Sequence, residues 1–179
     1  KDGTELSVLF TTSTNSVRQS YQSLIKQWWE EIGIETELRN VSASVFFGGD
    51  PASPDTFQKL YADVAMWTSS MSGTDPQAYL SRWLCTDIPG PNNQWQGSNA
   101  QRYCNPDYEA LVAELAVTAE LEERGRIARE LNDMLVQSYT IIPITWRGGV
   151  SAKSNTLGGV EMNDWSSELW NIADWYRID

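Results

Sequence analysis

The 179-residue chain contains no histidine. This absence excludes Ser-His and Cys-His nucleophilic schemes and most zinc and nickel sites, because those chemistries depend on an imidazole. The sequence also has no phosphate-cradling glycine motif, no calcium-binding loop and no cysteine cluster. Because these signatures of cofactor and metal enzymes are missing, we expect neither a cofactor nor a metal.

Basic residues are scarce as well. Thirteen Lys and Arg are outnumbered by twenty-four Asp and Glu, which gives a net charge of -11. Binding to phosphate backbones needs a basic face, so a nucleic-acid partner is excluded and an anionic membrane surface is disfavoured. No apolar run approaches the roughly 20 residues that a membrane-spanning helix needs.

The chain has only two cysteines, Cys85 and Cys104. They flank a loop rich in Gly, Pro, Asn, Gln and Ser, which has little hydrophobic content to hold it in place. A disulfide would fasten this loop and would indicate a compartment outside the cytosol. We favour the disulfide, with two buried free thiols as the alternative.

The length and a hydrophobic fraction of 41% are typical of one globular domain.

The first part of the chain predicts a βαβ unit. Alternating residues from Leu6 to Phe10 predict a strand, a helix runs from Ser16 to Gly33, and a second strand follows from Ile34. The apolar stripe of this helix, which we expect to face the core, comprises Val17, Tyr21, Leu24, Ile25, Trp28 and Ile32.

The segment from Asp63 to Leu84 combines an apolar strand, a polar loop and the start of a helix. Val64 to Trp67 show no alternation, which is typical of a strand buried on both faces near the middle of an α/β sheet. Small hydroxyl-bearing residues follow, at the strand end where open α/β sheets bind ligands. Asp75 and Pro76 then predict a helix N-terminus. This pattern predicts a ligand site at the end of the strand.

The second half of the chain predicts a helical hairpin and further strands. Asn105, Pro106 and Asp107 form a helix start, and a second apolar stripe follows after a break near Thr118. Four less regular segments are predicted from weaker patterns: a helix over 56–61, an edge strand over 141–146 with a partner at 150–153, and a strand over 169–178.

Nine tryptophans are unusual for this length. Trp28 and Trp83 are predicted to be core residues, whereas Trp95 in the loop is the most exposed candidate for ligand contact. The tryptophans that could stack on sugars or pack against ligand side chains are Trp67, Trp83, Trp95, Trp146 and Trp165. Carboxylate pairs could perform glycoside hydrolysis, but no pattern fixes their separation, so we expect a protein that is not an enzyme.

A series of motifs follows in a fixed order along nearly the whole chain: KQWWEEIGIETEL, DVAMWTSS running into TDPQAYLSRW, RYCNPDYEALV, ERGRIARELNDML with YTIIPITWR, and ELWNIADWYR. Together they resemble one lobe of the extracytoplasmic solute-binding proteins of ABC importers, of the oligopeptide and dipeptide type (family 5). The most specific parts are the E-I-G-I junction, the N-P-D-Y helix start and the I-I-P-I segment.

The resemblance implies an α/β fold: a periplasmic-binding-protein-like (type II) lobe with a mixed, mostly parallel sheet flanked by helices. Residues 1–179 would be a single lobe, the C-terminal fragment of a two-lobed clamp, and this would account for the absence of a secretory signal at Lys1. The implied function is capture of extracellular peptides, in the periplasm or lipid-anchored at the outer face of the cell membrane. The implied partners are the N-terminal lobe of the same protein and ABC permease subunits.

The resemblance also implies a site. Backbone groups at the strand edge would bond to an extended peptide, as in β-augmentation. Relatives often carry an acid three positions after the tryptophan for the peptide amino group, but Ser70 stands here and Asp75 is the nearest acid. The implied substrate-binding residues are Met66, Trp67, Thr68, Ser69, Ser70, Asp75, Thr145, Trp146 and Arg147. Cysteine pairs in relatives also support the disulfide of Cys85 with Cys104.

Two other functions stay open. The tryptophan content is compatible with binding of oligosaccharides by the same kind of importer component, or with a free-standing carbohydrate-binding or hydrolytic domain. The family also includes nickel binders, but the lack of histidine disfavours that ligand. The missing acid at Ser70 leaves recognition of a free amino terminus open.

Overall fold

A three-stranded parallel sheet is the centre of the α/β fold. The computed structural model describes residues 3–71, 73–146, 148–164 and 166–178. The strands are β1 (Leu6–Ser13), β2 (Ile34–Val41) and β3 (Val64–Met66), in the order β2-β1-β3. The predicted α/β class with a mostly parallel sheet is confirmed.

The predicted βαβ unit is present. Helix α1 (Ser16–Glu31) connects β1 to β2, which pair in parallel from Leu6 opposite Ile34 onward. Asn15, one residue before the predicted cap, accepts a hydrogen bond from the Arg18 amide. Gly33 ends the helix with a φ of 86°, a backbone conformation that glycine adopts without a steric penalty.

Helix α1 contacts the sheet through a different face from the one predicted. Gln22 is only 1% exposed, donates from Nε2 to the Phe10 carbonyl over 2.7 Å and accepts from Asn40 Nδ2 over 2.8 Å. Trp29 lies on the same face, with its ring 5.5 Å from that of Phe10. The predicted core position of Trp28 is wrong, because the buried amide of Gln22 orients the helix and leaves Trp28 57% exposed.

Strand β3 lies at an edge of the sheet. Its three residues are half-buried and pair only with β1, with Thr12 opposite Met66 at the last position. The expected position near the middle of the sheet, covered on both faces, is therefore wrong for the described residues. Within the described residues no strand lies beyond β3, so one side of its backbone has no partner strand.

The C-terminal part of the chain is less regular than predicted. Residues 141–146 and 150–153 form no strand. Pro143 removes a ladder donor, and Ile142 and Trp146 are 68% and 87% exposed. The tail contains a short 3-10 helix, Ile172–Asp174, and a two-stranded antiparallel ribbon. The ribbon consists of β4 (Leu157–Gly158) and β5 (Tyr176–Arg177).

The short helix α2 (Ala43–Phe46) lies between β2 and β3. The helices after β3 form an apolar core: α3 (Gln77–Leu80), α4 (Pro106–Val117) and α5 (Leu121–Gln137). Residues 56–61, predicted to be helical, form turns instead. The fully or nearly buried members of the core are Leu80, Trp83, Tyr108, Val112, Leu115, Ile127, Leu131 and Leu135. Among the described residues, no helix has the length and apolar character to cross a membrane.

The predicted start of α4 is confirmed and places the helix against α3. Asn105 Oδ1 accepts hydrogen bonds from the amides of Asp107 and Tyr108. The buried Tyr108 hydroxyl donates to the Leu80 carbonyl over 2.8 Å. Burial raises the pKa of this phenol far above its usual value. The hydroxyl therefore stays protonated and keeps donating the hydrogen bond that links α4 to α3.

Candidate ligand-binding site

The backbone after β3 is unpaired. Among the described residues, no strand pairs with the side of β3 away from β1, and no backbone–backbone hydrogen bond involves residues 67–70. An edge strand with free amide and carbonyl groups can accept an added extended chain. The end of β3 therefore offers a backbone edge for ligand binding.

Side chains from β1 and α1 fix this strand end. The Thr12 hydroxyl, which is fully buried, donates to the Met66 carbonyl over 2.7 Å. Arg18 donates to the Ser13 hydroxyl over 2.7 Å and to the Thr68 hydroxyl over 3.5 Å. These bonds hold the β3 terminus against the polar carboxyl end of β1.

A pocket of about 250 Å³ lies beside the strand end. Its aromatic lining consists of Phe47, Phe57, Trp67 and Trp83, with the rings of Phe57 and Trp67 5.3 Å apart. Thr68 and Ser69 also contribute to its lining. The unpaired backbone and the pocket therefore adjoin at Trp67, Thr68 and Ser69.

The disulfide loop forms one wall of this pocket. Cys85 and Cys104 are bonded, which confirms the predicted pairing. Inside the loop the fully buried Asn99 donates to the carbonyls of Leu84 and Tyr103 over 3.0 and 2.6 Å. The loop contributes Gly97, Ser98 and Gln101 to the pocket lining. The loop between the two cysteines is thus part of the candidate site.

A second wall comes from the 3-10 turn Ser81–Trp83 after α3. Trp83 is 6% exposed, which confirms its predicted core position, and it still lines the pocket. The guanidinium of Arg82 lies 5.2 Å from the centre of the Tyr79 ring. Among the described residues of the pocket lining, Arg82 alone is charged, and it forms no ion pair with another described residue.

Two glutamines complete the lining. The buried Oε1 atoms of Gln58 and Gln101 have no hydrogen-bond partner in the described residues. Sequence reasoning missed both, because they come from distant segments and belong to no motif. It also missed Arg82, although this residue lies within the motif TDPQAYLSRW. The polar composition of the disulfide loop was the single signal available for Gln101.

Asp75 is engaged within the chain. Its Oδ1 accepts the Gln77 amide over 2.8 Å, as expected for a helix cap, and its Oδ2 accepts from Arg124 over 2.6 Å. The Gln77 amide, and after it the Arg124 guanidinium, lower the pKa of this carboxyl from its usual value. Asp75 does not line the pocket, and Ser70 is exposed on the loop without lining it.

None of the other predicted residues that the structure describes lines the pocket. Thr145 and Trp146 are exposed and do not contribute to its lining. Arg147 and Trp165 lie outside the described residues. Trp95 packs against Tyr61, with ring centres 6.4 Å apart, and contacts Lys59 rather than the pocket.

No family model and no curated protein matches this sequence. Solved structures do match. The oligopeptide-binding protein AppA from Bacillus subtilis, in complex with a nonapeptide, is 16% identical with a TM-score of 0.67, over 100% of this chain and 33% of AppA. NikZ from Campylobacter jejuni, in complex with Ni(L-His), is 16% identical with a TM-score of 0.71, over 99% of this chain and 34% of NikZ.

A dipeptide-binding protein from a Pseudoalteromonas species, in complex with Met-Leu, is 16% identical with a TM-score of 0.70, over 97% of this chain and 32% of that protein. The chain thus spans about a third of the length of these three binding proteins. The resemblance indicated by the sequence motifs is confirmed as a likeness of fold. The chain has the fold of one part of the peptide-type solute-binding proteins of ABC transporters.

Proposed function

We propose that this chain is the ligand-binding lobe of the substrate-binding component of an ABC importer, and that it captures peptides along the open edge of β3. The observation that carries this proposal is the unpaired backbone of residues 67–70 beside a pocket of about 250 Å³. The likeness in fold to binding proteins solved with a nonapeptide and with Met-Leu supports it. In this proposal the ligand is bound and released chemically unchanged.

The bound peptide would run along β3 and past Trp67. Backbone bonds at Met66, Trp67 and Thr68 would hold the main chain whatever its sequence, because every residue offers the same amide and carbonyl groups. The Met66 carbonyl already accepts from the Thr12 hydroxyl, and Met66 is paired with β1, so Trp67 and Thr68 would provide most of these bonds. Specificity would then come from the adjoining pocket, through side chains that include Ser69.

The two oxygens of Asp75 already have partners, so we propose that this residue positions the loop and does not bind a peptide amino group. Ser70 can accept a hydrogen bond but carries no charge. Peptides with a blocked amino terminus would therefore bind about as well as free ones. Thr145, Trp146 and Arg147 would contribute contacts from the segment after α5.

We propose that residues 1–179 form one lobe of a larger clamp, with the ligand enclosed between this lobe and an N-terminal lobe. The disulfide supports a place outside the cytoplasm, because such bonds persist in oxidising compartments. The protein would lie in the periplasm or be lipid-anchored at the outer face of the cell membrane. It would deliver its ligand to ABC permease subunits.

A titration of the 15N-labelled chain with tetra-alanine, followed by NMR, tests this function. We expect the amide signals of Val64 to Ser70 to shift, with weak affinity, because a clamp gains most of its contacts from both lobes. Acetylated tetra-alanine should act like the free peptide. Tetra-alanine with N-methylated amides should bind at least about tenfold more weakly, because it lacks the donors of strand pairing. Equal binding of the N-methylated peptide, or no shift near β3, would contradict the proposal.

Oligosaccharide binding is the second candidate, and the aromatic lining of the pocket favours it. Sugars stack on aromatic rings and bond to amide side chains, and the pocket supplies both. Cellotetraose added in the same titration distinguishes the two functions. A sugar ligand would shift the indole signals of Trp67 and Trp83 and leave the β3 amides in place.

A further inference from the structure

We infer that the pocket beside Trp67 takes an acidic side chain of the bound peptide and pairs its carboxylate with Arg82. This inference rests on the proposed function, because it concerns a peptide lying along β3, and it names the kind of side chain that the adjoining pocket selects. Its basis is an arginine of the pocket lining whose charge no other described residue neutralises.

Arg82 has donors available for a ligand. The residue is half-buried, and its guanidinium lies 5.2 Å from the centre of the Tyr79 ring. This contact restricts the movement of the side chain and leaves its positive charge in place. Within the described part of the chain, the guanidinium makes neither an ion pair nor a hydrogen bond. Its planar fork of N–H groups fits the two oxygens of a carboxylate.

Hydroxyl groups of the lining provide further donors, and they belong to Thr68, Ser69 and Ser98. The Thr68 hydroxyl accepts from Arg18 and still has its own hydrogen to donate. The hydroxyls of Ser69 and Ser98 have no hydrogen-bond partner among the described residues. A carboxylate accepts about four hydrogen bonds and donates none, so it suits a lining that combines a guanidinium with hydroxyl donors.

The negative charge of the whole chain does not prevent this contact. The net charge of -11 repels an acidic peptide at long range. At about 0.15 M salt, however, the Debye length is about 8 Å, so nearby charges dominate. No described residue of the lining is acidic. The carboxylate of Asp87 accepts from the Ser98 amide over 3.0 Å and does not line the pocket, so Arg82 determines the sign of the charge in the lining.

Other side chains fit this pocket less well. Arg82 repels a lysine or arginine side chain. An apolar side chain packs against Phe57 and Trp67 but covers the charge of Arg82 without giving it a partner, which costs free energy. An amide offers a neutral acceptor, and hydrogen bonds between charged groups are stronger.

The size of the pocket suits one side chain. Pockets for drug-sized ligands start at about 300 Å³, whereas this pocket has a volume of about 250 Å³. The CH2 groups of an acidic side chain would pack against the rings of Phe57 and Trp67, which lie 5.3 Å apart. Aspartate and glutamate are therefore the side chains that the pocket favours.

The test uses tetra-alanine peptides with an acetylated amino terminus and an amidated carboxyl terminus, so that any charge belongs to the substituted side chain. Each position in turn carries Glu, Asp, Gln, Leu or Lys. Binding is measured from the indole N–H signals of Trp67 and Trp83 in the 15N-labelled chain. At the position that enters the pocket, we expect the Glu or Asp peptide to bind at least about tenfold more tightly than the Gln, Leu and Lys peptides, the ratio that about 1.4 kcal/mol gives.

Variants identify the partner of the carboxylate. Arg82→Gln removes the charge, so the preference for Glu over Gln should disappear. Arg82→Glu is the second variant, should the first fail to fold, and it should bind the Lys peptide more tightly than the Glu peptide. Arg129→Gln, at an exposed position of α5 outside the described lining and without an ion pair to a described residue, is the matched control and should keep the preference of the wild type.

Equal binding of the Glu, Asp and Gln peptides at every position, or a preference for Lys, would overturn the inference and leave the peptide-binding function intact. Retention of the Glu preference in Arg82→Gln or in Arg82→Glu would also overturn it. Tetra-alanine with a free carboxyl terminus completes the series: if this terminus strengthens binding and no acidic side chain does, the pocket binds the peptide end and the inference is wrong. Failure of tetra-alanine itself to shift the β3 amides would overturn the proposed function, and the inference with it.

Discussion

Arg124 of helix α5 donates to Asp75 in the loop after β3, with 2.6 Å between Nη2 and Oδ2. The same guanidinium donates to the carbonyls of Leu115 and Thr118 at the end of α4. One side chain therefore joins the helical hairpin to the loop that follows the candidate site. Asp75 acts here as a structural anchor, and no carboxylate is among the described residues of the pocket lining.

Asp75→Asn should make stability less sensitive to acid. The folded-state pKa of Asp75 lies below its usual value of about 3.9, so its contribution is complete above about pH 4 and is lost as the pH falls through the folded-state pKa. The variant should unfold at a lower temperature than the wild type near neutral pH. The difference between the two unfolding temperatures, measured by circular dichroism, should be smaller near pH 2.

Asp133→Asn, at an exposed position of α5 that forms no ion pair within the described residues, controls for the loss of one negative charge. If the unfolding temperature of Asp75→Asn stayed below that of the wild type by the same amount from neutral to acidic pH, the structural role of this carboxylate would be contradicted.

Replacing both cysteines by serine should destabilise the chain by about 3 kcal/mol, because Cys85 and Cys104 lie 19 positions apart and the unfolded chain regains the entropy of that loop. For a domain of this size the midpoint of thermal unfolding should fall by roughly 6 to 12 °C. Calorimetry of the wild type with and without a reductant gives an independent value for the effect of the disulfide on this midpoint. An unchanged midpoint in both measurements would show that the loop is held by Asn99 and its neighbours alone.

Gln22→Ala should destabilise the chain by about 2 kcal/mol, because the buried Phe10 carbonyl and Asn40 amide lose their partner and a cavity forms. Gln27→Ala, on the exposed face of the same helix, should stay within about 0.5 kcal/mol of the wild type. Urea unfolding measures both. Equal effects of the two substitutions would contradict the observed orientation of α1.

The neighbouring tryptophans of α1 provide a second test of that orientation. Trp29→Ala should cost about 2 to 4 kcal/mol, because it removes a ring packed on Phe10. Trp28→Ala should cost less than about 1 kcal/mol, since Trp28 is 57% exposed. If Trp28→Ala proved the more damaging in urea unfolding, the original expectation of a core Trp28 would be correct.

Local signals in the sequence predicted the regular elements well. The caps at Asn105 and Gly33 and the stripe from Tyr108 to Leu115 act within one or two helical turns, so neighbouring residues suffice to determine them. The strand Val64–Met66 was predicted within one residue at each end. The predictions of a helix over 56–61 and a strand over 141–146 were wrong. The first segment forms turns, and in the second Pro143 cannot donate to a ladder while Ile142 and Trp146 are exposed.

Sequence patterns alone predicted the α/β class, favoured the disulfide and suggested a candidate site after Trp67. The packing of distant segments was needed to show that β3 lies at an edge among the described strands, that Gln22 rather than Trp28 faces the sheet, and that Gln58, Arg82 and Gln101 line one pocket. The two groups of features differ in how far apart along the sequence the interacting residues lie. Caps and apolar periodicity depend on near neighbours, whereas an edge, a helix orientation and a pocket depend on which distant segments compete for the same surface.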